Sequence, residues 1–298
     1  MKFAITILIV ALTAISAFGQ SAPTLRIVTD DPNLPSDLYY GDIKVKPLRL
    51  RPGTNTPITI NDNDFFIQQH YIDFLGRMPD PGGFAGWMTV LTNCANGTMP
   101  PPCDRVEVSS DFFRSEEFQT RGYFIYRFFK TLPDATDPNN PQFGHIPHYS
   151  EYMPDLKRVS GFLTAQQLEA QKAAFISDFM ARAGFQSKYG SLSDPTAYVN
   201  ALLQTVGLPN HPSKAGWIAG LANNSMTQAQ VLRALVESSE VYQKYYNEGF
   251  VIMQYFGYLR RDADGSYVNW IQTMNQNGGD YRIMINGFVN SLEYRGRF

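Results

Sequence analysis

The sequence predicts an all-α protein: tandem small helical units with aromatic cores, preceded by an extended N-terminal arm. Three observations carry that expectation. First, the chain has three tryptophans, and each holds the same place in a recurring unit. One copy reads Tyr71, Leu75, Arg77, Trp87, Phe112, Ser115, Glu117, Phe118, and another Tyr255, Leu259, Arg261, Trp270, Phe288, Ser291, Glu293, Tyr294. A copy between them offers Leu202, Trp217, Leu235, Ser238, Glu240 and Val241. The step from Trp217 to Trp270 equals that from Ser238 to Ser291, 53 residues, a period typical of repeat architectures. Second, apolar residues from Phe65 onward recur at three- and four-residue spacings, as on one face of a helix. Third, capping and turn residues punctuate that pattern at short intervals.

Taken in order, Met1 to Gly19 reads as an export signal: Lys2, an apolar run from Ala4 to Ile15, and small residues at Ala17 and Gly19 ahead of Gln20. Residues 20–62 form the arm. Prolines punctuate it, and Ile43-Lys44-Val45-Lys46 and Leu48-Arg49-Leu50-Arg51 alternate as half-buried strands do, which suggests a two-stranded ribbon lying on the domain behind it. A first helical unit is expected over 63–131, opening at Asn63 or Asp64 and turning at Gly76 and Asp80-Pro81-Gly82-Gly83. Residues 132–193 read as a spacer holding a long helix that starts at the capping box Thr164-Ala165-Gln166-Gln167. A degenerate second unit covers 194–242, from Asp194-Pro195 through the box Thr227-Gln228-Ala229-Gln230. A third covers 243–298, entered by what reads as the longest helix, capped at Ser238 or Ser239. About twelve helices result. Trp87, Trp217 and Trp270 are expected to plug the space between helices of their own unit, with Phe118 and Tyr294 closing the cores.

Charge is balanced, with 25 basic and 27 acidic residues, which argues against a nucleic-acid or anionic-membrane partner. No stretch after the signal is apolar enough to span a bilayer. The two cysteines, Cys94 and Cys103, flank a short proline-rich loop, and in an exported chain they are expected to form a disulfide. Asn96-Gly97-Thr98 and Asn223-Asn224-Ser225 match the glycosylation sequon.

Tyr71 to Gly83, Trp87 and Phe112 to Phe118, and again Tyr255 to Asp262, Trp270 and Phe288 to Tyr294, resemble a bacterial family known as domain of unknown function 4214. Its hallmark is a helix ending Tyr-x-x-x-Leu-x-Arg, a Pro-Asp-x-x-Gly turn, a tryptophan helix and a Phe-x-x-Ser-x-Glu-Phe close. The last copy has Asp262-Ala263-Asp264-Gly265 in place of the proline turn, and the middle copy lacks the arginine and the aspartate turn. The resemblance implies a small helical unit similar to phycobilisome linker domains, frequent in exported or cell-surface proteins, with no catalytic residue to carry over.

Catalytic patterns are missing from the sequence: there is no nucleophile elbow, phosphate loop, dinucleotide fingerprint or zinc-protease helix. His145 and His148, with Glu151 or Asp155, are the nearest approach to a metal set, but Pro147 argues against one helix presenting both rings. His70 is expected at the surface or its boundary. Registering Gly265 in a calcium loop fails, because Ile271 falls where an acid is needed. Arg77 and Arg261 follow the first helix of their units and are expected to pair with Glu117 and Glu293. No catalytic, cofactor or metal residue is assigned. The expectation is an exported, non-enzymatic helical repeat protein, binding or scaffolding another envelope or extracellular protein, located in the periplasm or outside the cell. The alternative is an envelope hydrolase using Glu151 and Asp155.

Overall fold

The computed structural model describes residues 50–276 and 281–298 apart from Pro52, with the backbone of three strands nearer the N-terminus. The expected signal at 1–19 lies outside the described residues, as does much of the arm. The strands are β1 (Leu25–Val28), β2 (Asp37–Tyr40) and β3 (Ile43–Val45), antiparallel in the order β1-β2-β3, where the alternation suggests a two-stranded ribbon. They belong to a compact unit ending at Pro47, distinct from the helical body that begins at Leu48.

The helical body is all-α beyond an isolated bridge between Leu50 and Pro57. Its first group is α1 (Asn63–Leu75), α2 (Pro81–Ala95), α3 (Arg105–Arg114) and α4 (Glu116–Thr120), here unit A. Then come α5 (Gly122–Phe129), α6 (Tyr149–Val159), α7 (Ala165–Ala181) and α8 (Ala183–Tyr189), with a 3-10 turn at Pro141–Phe143. Unit C comprises α9 (Pro195–Thr205), α10 (Lys214–Ala222), α11 (Gln228–Val236) and α12 (Ser239–Lys244). Unit D comprises α13 (Tyr246–Gln254), continued by a π-helix (Tyr255–Leu259), then α14 (Tyr267–Gln276), α15 (Tyr281–Val289) and α16 (Leu292–Gly296).

The helices are shorter and more numerous than the dozen expected, because local caps cut long apolar stripes. Ser115, Ser238 and Ser291 leave the helical region (ψ 144°, 150° and 146°), and each hydroxyl accepts an N–H three residues on, from Phe118, Val241 and Tyr294. The helix expected to be longest, after Ser238, breaks at Tyr245 (φ −104°, ψ 7°), and α7 with 17 residues is the longest. The first helix of A, C and D ends on the same left-handed residue: Gly76 (φ 63°), Gly207 (φ 62°) and Arg260 (φ 53°). Glycine meets that backbone without penalty, whereas Arg260 is strained there.

The stretch expected as a spacer repeats the same order of elements. Phe179, Arg182 and Phe185 have the spacing of Phe112, Ser115 and Phe118, and Arg182 has the same extended backbone (φ −64°, ψ 144°) at the head of a short helix. We call α5–α8 unit B.

Equivalent helices then meet in pairs. The third helix of A, α3, packs along the third helix of D, α15, while α7 of B packs on α11 of C. Units A and D are related by a pseudo-twofold, because contacts recur with the partners exchanged. Phe74 and Tyr258 occupy the same position in their units, and their rings lie 5.1 Å apart. Phe65 meets Phe298 at 5.3 Å, and a Cβ on its counterpart Gly249 would come within 2.7 Å of the Tyr123 ring, one residue past Gly122, the counterpart of Phe298. One continuous aromatic-rich core runs from Ile60 to Tyr294.

Candidate functional site

The residues singled out by the repeat gather at one joint per unit, where the loop after the first helix meets the fourth helix. In A, Arg77 forks onto Glu117, with Nε and an Nη donating at 2.7 and 2.6 Å. In D, Arg261 does the same to Glu293 at 2.6 and 3.0 Å. Asp80 and Asp264 join the pairs at 3.4 and 3.1 Å, and each guanidinium covers its unit's tyrosine, Tyr71 or Tyr255. Burial lowers the pKa of Arg77, but Glu117 outweighs it and the net shift is upward. Unit C lacks the arginine, with Leu208 in its place. His211 stands where D has Asp264 and lies 3.3 Å from Glu240, its ring 4.5 Å from Trp217. The joint persists with different chemistry.

The three indoles are not equivalent. Trp217 is buried, whereas Trp87 and Trp270 sit half-buried at the rim of their cores. They lean on Phe112 and Phe288 at 5.5 and 6.3 Å. α2, which carries Trp87, exposes most of its surface, and Leu91 is its one buried residue. Phe118 and Tyr294 are buried as expected of core closers. Cys94 and Cys103 are joined, with Cα atoms 5.6 Å apart.

His70 overturns its surface expectation and is fully buried in α1. Nδ1 lies 2.8 Å from the Phe66 carbonyl, which can only accept, so Nε2 accepts from the Ser109 hydroxyl at 2.8 Å. Burial presses the His70 pKa down to about 4. The pair has the composition of a nucleophile and its base, yet Ser109 and Tyr258 around it are sealed from solvent. A second buried set joins B to D: Glu248 accepts from Lys130 at 2.5 Å and from Tyr126 at 2.6 Å. A third joins A to D, where Asp73 accepts from Arg297 at 2.8 Å, Arg260 at 3.0 Å and Gln69 at 3.0 Å. Two of these sets carried no signal in the sequence, because their members occur once each and lie over a hundred residues apart.

The histidine loop is likewise tied up. His148 Nδ1 lies 2.7 Å from Asp262, and the His148 N–H donates to Glu151. Asp155 is buried and taken by Arg182 at 2.6 Å. Among the described residues no three His, Cys, Asp or Glu side chains form a metal-binding group. The Asp262–Gly265 segment is a helix-starting turn, in which Asp264 accepts the Ser266 N–H.

Two clefts of about 300 Å³ open on the surface. One, in unit C, is bounded by Pro195, Leu221, Met226 and Gln228. The other lies at the A·D joint between Phe66, Arg105, Val289 and Arg295.

These features define an all-α protein of repeated four-helix units, latched internally by buried ion pairs. Residues 176–245 match the family described as Domain of unknown function (DUF4214). The match falls on unit C together with α8 and the end of α7, rather than on the copies in which the hallmark motif is most complete. Unit C departs in its arginine and aspartate but keeps the left-handed Gly207, the indole of Trp217, the box at Thr227 and the cap at Ser238. No curated protein matches the chain, and no solved structure does. Among the described residues no helix is long and apolar enough to cross a membrane.

Proposed function

We propose that this is an exported helical repeat protein that acts by binding, holding a partner protein at the cell envelope or outside the cell. The observation that carries the reading is the use of the charged side chains at the repeat joints. Arg77 with Glu117 and Arg261 with Glu293 at the joints, and Asp155 with Arg182 within unit B, neutralise one another within the fold. Such pairs rigidify a scaffold and specify how its units meet. The export signal expected over 1–19 and the disulfide between Cys94 and Cys103 support an oxidising compartment.

Fractionation of the native host, with sequencing of the protein's N-terminus, tests the location. A mature chain starting near Gln20 in the periplasm or medium is expected, and an intact Met1 terminus in the cytoplasm overturns it. Crosslinking in intact cells, followed by titration of the captured protein with purified chain, tests the role. Saturable binding is expected. Turnover of glycans, peptides or esters that is lost in Glu151→Ala would replace binding by hydrolysis.

A further inference from the structure

We infer that the cleft at the A·D joint is a binding site for a small organic carboxylate. The pseudo-twofold relating A to D supplies an equivalent place across the joint, and there the space is filled. Phe113 packs against Phe250 at 4.6 Å and Tyr246 at 5.5 Å, and Arg114 lies 3.9 Å over Tyr281. Its charge is closed by Glu107, which accepts from Tyr281 at 2.6 Å, Arg282 at 3.1 Å and Arg114 at 3.4 Å.

At the cleft the register that matches Phe112 to Phe288 puts Val289 for Phe113, Asn290 for Arg114, Arg105 for Tyr281 and Ile283 for Glu107. Loss of the ring opens the volume, and with Ile283 in place of the acid the carboxylate among its lining residues is Asp104, which Arg282 holds. Arg105 stacks on Phe66 at 4.7 Å and donates to the Ile60 and Asn61 carbonyls and to Asn63. Arg295 gives one N–H to the Asn61 side chain at 2.6 Å, so both guanidiniums converge on that residue. Among the described residues neither forms an ion pair with a carboxylate. Asp62 is held by Arg51 at 2.9 Å and Asp104 by Arg282 at 2.6 Å. Burial and the charge of Arg295 both press the Arg105 pKa down.

Two guanidiniums share this half-closed cleft with apolar Phe66, Val106 and Val289, and with Asn61, Asn286, Asn290 and the Asp104 carboxylate that Arg282 holds. A carboxylate on an apolar body matches the guanidiniums and the apolar residues, its oxygens taking the remaining N–H groups of Arg295 in the planar geometry that guanidinium favours.

Calorimetric titration of the full chain with benzoate tests this, with benzamide and inorganic phosphate as comparisons. Saturable benzoate binding is expected, about tenfold or more tighter than benzamide or phosphate. Arg295→Gln should weaken it at least about tenfold, and Val289→Phe, which restores the filled arrangement, should abolish it without lowering the unfolding midpoint. Arg233→Gln, on unit C, should leave it unchanged. Absence of benzoate binding up to about 10 mM, equal binding by Arg295→Gln, or phosphate binding tighter than benzoate would each overturn the assignment. Should Val289→Phe unfold, Arg295→Gln alone decides.

Discussion

Asp73 holds the A·D joint in a way its sequence neighbourhood does not announce. Its carboxylate is 1 % exposed and sits between Arg297 and Arg260. Burial raises its pKa, but the two guanidiniums outweigh burial and hold it below the ordinary carboxylate range. Its stabilising contribution is therefore complete above that range and is lost as pH falls through the depressed value. Asp73→Asn should cost about 3–5 kcal/mol at pH 7 in urea unfolding, since it strands two cations; a loss under about 1 kcal/mol would contradict this account. His70 acts at higher pH. Its folded pKa of about 4 lies below the ordinary histidine value of 6.5, so the unfolded chain takes up a proton first as pH falls. Stability should drop by on the order of 3 kcal/mol between about pH 6.5 and 4, and His70→Gln should flatten that slope. Neither residue was legible beforehand. Arg77 and Arg261 were, because a pair written twice in equivalent places points to its partner. Asp73 has Gly257 as its counterpart and Arg260 has Gly76, so repetition says nothing of them.

Between residues and units stand the caps and turns, and here the sequence spoke clearly. Thr164, Asp194 and Thr227 open helices as their residue types predict, each accepting a backbone N–H three residues on. Boundaries without a polar or glycine marker stayed hidden. The break at Tyr245 falls inside an apolar stripe that continues through Tyr246 and Met253, and the π-turn at Tyr255–Leu259 lies in a run with helical periodicity. Unit B was hidden for a related reason: Arg182 stands where the serine is expected. The caps give a direct check. Ser238→Ala should cost about 1 kcal/mol, and Gly207→Ala a similar amount by forcing a side chain into left-handed backbone. Thermal unfolding of both variants measures this, and equal midpoints for Gly207→Ala and wild type would show that the turn relaxes.

At the scale of the helical body, the pairing of A with D and of B with C decides how cooperatively it unfolds. The first and last units in sequence are partners in space, so the apolar faces of α1 and α3 are covered by residues more than 130 positions later. Periodicity revealed that each unit has such a face but not which unit covers it, because all the units offer similar aromatic surfaces. The nested order has a consequence for truncation. A chain ending at Tyr245 keeps the contact of α7 with α11, strands Lys130 and Tyr126 of B by removing Glu248, and uncovers Phe66, Phe74 and Phe113 in A. Hydrogen exchange on that truncated chain should show protection retained in α7 and α11 and lost across α1 and α3. A side-by-side stack, with each unit resting on its sequence neighbour, predicts the reverse: A would keep its protection and C would fray.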